Sequence, residues 1–327
     1  MTEDMMPRFV LAALAALFLA GPAAAQDYPT RPITMVIPFA AGGPTDVLGR
    51  VVAAKMSEIL GQQIVVENAT GAGGMTGANR VKTSPPDGYA ILLGTVGTQA
   101  QVQNLSKKPL YDAGKDFLAV ALLGEVPLVL IVRKDLPVNT IKEFVEYAKK
   151  NQDKMQFGSS GVGAAVHLGT VLLNSSIGVT ITHVPYRGSA PAMQDLQGGR
   201  IDYMTEIVST AFPQIQGGAV KAIAALAPQR IKNLPDLPTA REGGVNVDAY
   251  TWNAIFLPNG TPDAIVKKLN AAAVEAMKSP QVRDKLEPLG VTIVAEDRMT
   301  PAYLDTFVKD EIVKWGKAIK ESGATVD

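Results

Sequence analysis

The residues whose types could carry nucleophilic chemistry are the pair Ser159 and Ser160 and the chain's two histidines, His167 and His183. "FGSSGVGAAVHLG" brings a serine pair and a histidine into one stretch, but "GSSGVG" does not complete a G-x-S-x-G elbow, because Val162 stands where the last Gly belongs. His167 falls just inside an expected helix, where a ligand-facing donor and a packed polar side chain are equally good readings. His183 sits in a strand-like run ending "HVPY" and reads as structural. Without cysteine, and without an H-E-x-x-H pattern, no dedicated metal site and no cofactor are expected. These residues do not add up to an enzyme.

Glycine-rich loops are the stronger pattern. "AAGGPTD", "NATGAGGMTG", "GTVGTQ" and "GSSGVGAAVHLG" each follow an apolar run. Glycine lets a ligand approach the backbone, and a helix start behind the loop offers unpaired N–H groups and the positive end of its dipole to an anion. One such loop is ordinary turn chemistry. Four of them at strand ends, where open α/β sheets bind ligands, describe a carboxylate or phosphate cradle without formal charge. Asp46, in the first of them, is better placed as an N-cap than as a contact to an anion. Nucleotide folds are excluded by the letters: no loop continues as Gly-Lys, and "GAGGMTG" puts Thr76 where the last Gly of G-x-G-x-x-G is required.

The elements that must carry these loops alternate. "ITMVIPF", "QIVVEN" and "GYAILLGT" read as strands, with a helix stripe through Leu48, Val51, Val52, Met56, Ile59 and Leu60 after the first. A second set follows from "VPLVLIVRKDLP": a helix at "TIKEFVEYAKKN", a strand at "MQFGSS", a helix from about Ala164, a strand at "VTITHVPYRG" and a helix through "APAMQDLQGG". "IDYMTEIV" and "VKAIAALA" add strands, and beyond "AYTWNAIFLPNGTP" the chain reads as mostly helical. That order is an α/β fold with largely parallel sheets. No linker of low complexity separates the sets, so two lobes joined by crossing strands are expected.

Length and charge agree. The 327 residues, 47% of them hydrophobic, exceed one ordinary domain. Lys+Arg 31 against Asp+Glu 31 leaves no excess to attract nucleic acid or an anionic membrane. "FVLAALAALFLAGPAAA" ends in an A-x-A pattern, which predicts a cleavable signal peptide over residues 1–25 and a periplasmic mature protein. The acidic "MTEDMMPR" ahead of it points to translation starting at Met5 or Met6.

"IPFAAGGPTD", "VVENATGAGGMTGA", "SPPDGYAILLGT", "FGSSGVGAAVHLG", "HVPYRGSAPAMQDLQGGRID", "LPDLPTARE" and "LPNGTP" occur in this order through nearly all of the mature chain. Together they resemble the extracytoplasmic solute receptors of tripartite tricarboxylate transporters, the Bug family. The resemblance implies a periplasmic binding protein of type 2, a Venus flytrap with a sheet flanked by helices in each lobe. Lobe 1 would take residues 26–127 and 252–327, and lobe 2 residues 128–251. It implies capture of a small organic carboxylate by a monomer and its delivery to membrane permease subunits, without catalysis. Signalling from the loaded receptor to a membrane sensor kinase is the alternative.

Carried over position by position, the resemblance places Phe39, Ala40, Ala41, Gly42, Gly43 and Thr45 on one ligand carboxylate. Ser160, Gly161, Gly163, His167, Tyr186, Arg187 and Gly188 would come from the second lobe. Arg187 would grip a second carboxylate or serve a surface or interlobe ion pair. Thr95 and Thr98 are expected to line the cleft from the first lobe. Two places depart from the family's pattern near the cleft: Glu206 stands at an aspartate-type position, and the W-x-G feature reads "TWNAIF", which puts Asn253 there without the Gly. Trp252 reads as packing, or as a stacking wall for an aromatic acid.

Overall fold

The computed structural model describes residues 28–39, 41–186 and 188–322. The expected signal peptide lies outside the described residues, as do Ala40 and Arg187.

Short apolar runs bounded by glycine become strands, and the amphipathic runs between them become helices. The chain opens with β1 (Ile33–Ile37), α1 (Pro44–Leu60), β2 (Ile64–Asn68), α2 (Met75–Lys82) and β3 (Ala90–Thr95). A π-helical turn at Gly97–Gln101 leads into α3 (Val102–Leu105) and then β4 (Phe117–Arg133). Next come α4 (Ile141–Asn151), β5 (Gln156–Ser159), α5 (Ala165–Ile177), β6 (Thr182–Pro185), α6 (Ser189–Gln197) and β7 (Tyr203–Ile207). They are followed by α7 (Val208–Gln216), β8 (Val220–Ala225) and β9 (Tyr250–Pro258). The described chain closes with α8 (Asp263–Lys278), α9 (Pro280–Leu286), β10 (Thr292–Ile293) and α10 (Pro301–Ser322).

The strands join in the order β2-β1-β3-β9-β4-β7-β5-β6, with β8 and β10 also pairing with β4. β1, β2 and β3 run parallel, as do β5, β6 and β7. β4 and β9 run antiparallel to each other between these sets. β4 is one strand of 17 residues. It pairs with β9 over Phe117–Pro127 and with β7 and β8 over Leu128–Arg133, so it belongs to both halves of the sheet. The sequence pattern began this strand only at "VPLV".

Two apolar cores flank the sheet. The larger gathers β1, β3, β9, α1 and α8, and the smaller packs α4 and α5 on Tyr203 and Phe144, whose rings meet edge to face at 5.0 Å. On α1 the buried face is Leu48, Gly49, Val52, Ala53 and Met56, while Val51, Ile59 and Leu60 are only half-buried. Gly49 allows that approach: a Cβ there would lie 2.5 Å from Ile37 Cδ1 and 2.8 Å from Leu93 Cδ2. α7 escaped the sequence pattern because its interior Pro213 argues against a helix.

Candidate functional site

β1 ends at Ile37, and after six intervening residues α1 begins with Pro44, whose fixed φ suits a first helical position. Gly43 is the capping residue, and no side chain caps the helix. Val47 N–H bonds Gly43 O at 3.0 Å, so the first-turn N–H groups without an intrahelical acceptor are those of Thr45 and Asp46. Asp46 is not the N-cap. It is buried in the first turn and accepts the Gly42 N–H at 2.8 Å, Arg50 Nε at 2.9 Å and Asn68 Nδ2 at 2.9 Å. Burial opposes its charge, yet the Arg50, Gly42 and Asn68 donors outweigh it and hold the carboxyl down at about 2. Asn68 also donates to Phe39 O at 2.9 Å, so one carboxylate and one amide brace the loop from behind.

The arrangement recurs twice. After β5, residues 160–164 lead into α5, which starts at Ala165 with no side-chain cap. After β7, α7 starts at Val208 directly behind Ile207, again uncapped, with Ser209 and Thr210 in its first turn. The starts of α1, α5 and α7 meet on one cavity of about 810 Å³, to which they contribute Gly43 and Thr45, Ala164 and Ala165, and Ser209 and Thr210. Thr95, Gln101, Ser160, Thr251 and Asn253 supply further polar groups, and Val47, Met75, Val102, Leu105, Val126 and Leu286 supply apolar wall. No Asp, Glu, Lys, Arg or His side chain is among the described residues that line it. Three helix N-termini on a charge-free cavity can bind an anion through oriented N–H groups.

The model of the tripartite tricarboxylate transporter family receptor matches residues 48–324. The chain belongs to that receptor family. It is 42% identical over 326 residues to the UPF0065 protein in the TAR-I ttuE-ttuC' intergenic region of Agrobacterium vitis, covering 98% of this chain and 93% of that one. Among solved structures it is similar to the periplasmic binding protein BugD, at 39% identity and TM-score 0.76, covering 91% of this chain and 99% of that one. It is likewise similar to MatC of Rhodopseudomonas palustris, solved with malate bound, at 38% identity and TM-score 0.76, covering 89% and 100%.

In this receptor, Phe39, Gly42, Gly43, Thr45, Thr95, Ser160, Gly161, Gly163 and Asn253 line the cavity, whereas Ala41, Thr98, His167, Tyr186, Gly188 and Glu206 are not among the described residues that line it. Several amides there are already committed: Gly42 N–H to Asp46, Gly161 N–H to Ser159 Oγ at 3.2 Å, and Gly163 N–H to His167 Nδ1 at 3.1 Å. Thr98 is fully buried, its hydroxyl accepting Thr95 N–H at 3.0 Å, so it fastens the turn instead of facing the cleft. His167 is buried, stacked on His183 with ring centroids 4.0 Å apart, and serves the loop through Gly163. Burial lowers both histidines to about 4, His167 with help from its neighbour His183. Tyr186 turns away to donate to Asp195 at 2.8 Å, Gly188 starts α6 at φ 126°, and exposed Ala41 stands outside the lining.

Glu206 is also corrected: it is fully buried and off the cavity, its Oε1 accepting Ile207 N–H and the Thr210 hydroxyl, each at 2.8 Å. Burial pushes its carboxyl pKa up, partly offset by Ser189, Thr210 and Ile207 donors. Ser159 does meet a histidine, but it is His183 at 2.7 Å, and the hydroxyl is fully buried away from the cavity lining. Trp252 is core: its indole and that of Trp315 both donate to Glu311 Oε2, at 3.0 and 2.9 Å.

Sequence reasoning missed Gln101, Ser209, Thr210 and Thr251. "TEIVST" held the signal for two of them, since Ser and Thr directly behind a strand often open a helix. The π-helical turn that presents Gln101 leaves no periodic trace.

Proposed function

We propose that the receptor captures a small organic carboxylate in the periplasm and hands it to the membrane permease of a tripartite tricarboxylate transporter, acting as a monomer. The observation that carries this reading is the convergence of the α1, α5 and α7 N-termini on a cavity lined by uncharged groups. Oriented N–H groups and the hydroxyls of Thr45, Ser160 and Ser209 would hold the anion, the Ser209 hydroxyl lining the cavity without a partner of its own. Each exposed helix terminus contributes about 0.3–1 kcal/mol, more when water is excluded. BugD is a periplasmic binding protein and MatC binds malate, which supports the compartment and the ligand chemistry.

Lobe 1 would comprise residues 26–127 and 252–327 and lobe 2 residues 128–251, meeting within β4 and β9. Gly43, Thr45 and Thr95 would act from lobe 1, Ser160, Gly161 and Ser209 from lobe 2, and Asn253 from the crossing strand. A ligand touching both binds the closed form better and shifts the population toward it. Catalysis has no support here, because Ser159 and His183 satisfy each other beneath the loop.

Isothermal titration of the mature protein, refolded to strip carried-over ligand, tests this against C4 to C6 dicarboxylates, citrate, acidic amino acids and aromatic carboxylates. One class should bind with one site per chain and be recovered unchanged. Silence across the set, or a chemically altered ligand, overturns the reading.

A further inference from the structure

The cavity has a second polar patch that the anion cradle does not use. Gln101 is fully buried on the last position of the π-helical turn and lines the cavity, yet neither its amide nitrogen nor its oxygen has a partner. Asn253, 4% exposed, also lines the cavity with its Oδ1 unpartnered. The two are brought together by the sheet. Asn253 stands opposite Thr95 in the β3–β9 ladder, and the turn that follows Thr95 carries Gln101. A Cβ built on Gly97 would lie 3.4 Å from Thr95 Oγ1 and 4.0 Å from Gln101 Oε1, so hydroxyl and amide flank the same glycine.

An amide offers both a donor and an acceptor, so this patch suits a group that gives and takes hydrogen bonds without carrying charge. The rest of the wall is apolar, with Val102, Leu105 and Val126 among its residues. A second or third carboxylate pressed against that wall would find no cation among the described lining residues, and burying an unpaired charge is strongly unfavourable.

We infer that the receptor selects an organic monocarboxylate with an apolar body and one uncharged hydrogen-bonding group, and that Gln101 and Asn253 read that group. This rests on the receptor reading above and narrows its ligand. A site built to hydrogen-bond a ligand hydroxyl discriminates against the analogue lacking it, because its buried polar groups are then left unpaired.

Titration calorimetry of the mature protein with benzoate, 3- and 4-hydroxybenzoate, malate and citrate decides it. One hydroxybenzoate should bind about tenfold or more tighter than benzoate, and both tighter than malate or citrate. Gln101→Met should bring the ratio of hydroxybenzoate to benzoate affinity close to unity, and Asn253→Leu should narrow it, each variant being checked for native melting. Malate or citrate binding tightest overturns the inference while leaving the carboxylate receptor standing. An unchanged ratio in both folded variants overturns the role of the two amides. Silence with all five acids overturns the inference, and only silence across the wider set of carboxylates named above overturns the receptor reading with it.

Discussion

The Gly42 amide lies 2.8 Å from the Asp46 carboxylate, so the loop that faces the cavity is held by the first turn of the helix it introduces. A negative side chain thus sits directly behind an anion cradle without facing it, its charge met by Arg50 and Asn68.

Removing that brace should loosen the loop. Asp46→Ala frees the Gly42 N–H, Arg50 and Asn68 together and should cost about 1–3 kcal/mol in urea unfolding. The folded carboxyl titrates at about 2, below its usual range, so its stabilisation is present above the unfolded value and lost as pH falls through about 2. An Asp46→Asn protein should therefore lose less stability on acidification than the wild type; an equal loss in both would count against the brace.

A negative charge placed at the cradle should abolish capture without harming the fold. Thr45→Asp puts a carboxylate in the first turn of α1, where the helix dipole favours it. Melting should be unchanged or slightly higher, while carboxylate affinity falls about 100-fold or more. Undiminished binding would mean that the anion sits elsewhere.

The stacked histidines should make the protein acid-sensitive. Folded, both titrate at about 4; unfolded, each returns to about 6.5. Between these values the unfolded chain holds more protons, so stability rises with pH across the window and levels off above it. The melting temperature should be lower at pH 5 than at pH 7.5, and a His167→Gln, His183→Gln double variant should flatten the slope. A slope untouched by the double variant would assign the acid sensitivity to other groups.

Glu206 should act in the opposite sense. Its folded pKa is raised by burial, so its contribution is fully present below the unfolded value and declines as pH rises above it. Glu206→Gln keeps the shape and removes the titration, so its melting temperature relative to wild type should climb with pH. A constant difference from pH 5 to 9 would show that Glu206 does not change protonation on folding.

Binding should also be nearly indifferent to salt. With no charged side chain among the described lining residues, raising NaCl to about 0.5 M should change carboxylate affinity by less than about threefold. A steep decline would point to a cationic contact.

The strand ends and the glycine loops were legible because apolar runs and Gly clusters are local signals, and the same locality explains what was not. "AAGGPTD" predicts a helix start facing a ligand, but nothing in it says that Asp46 turns inward to Gly42 and Asn68. His167 left two readings open; the structure selects packing because His183, distant in sequence, stacks on it. Glu206 read as a cleft residue from its position in a motif, whereas its strand is buried on both faces: alternation sets it opposite Thr205, which bonds Thr170, and both side chains are fully buried. Gln101 could not be found by periodicity, since a π-helical turn has none to show.

β4 passes from one half of the sheet to the other without a break, and β9 runs beside it. The register between them shifts at Ala119/Ala121 and again at Leu122/Gly124, the irregularities at which a ribbon takes extra twist. If a ligand draws the two halves together, as proposed above, closure would wind this hydrogen-bonded ribbon, as one winds a torsion bar, instead of swinging a slack loop. The work of winding would then come out of the ligand's own affinity and would be returned when the ligand departs, so reopening would need no other source of energy.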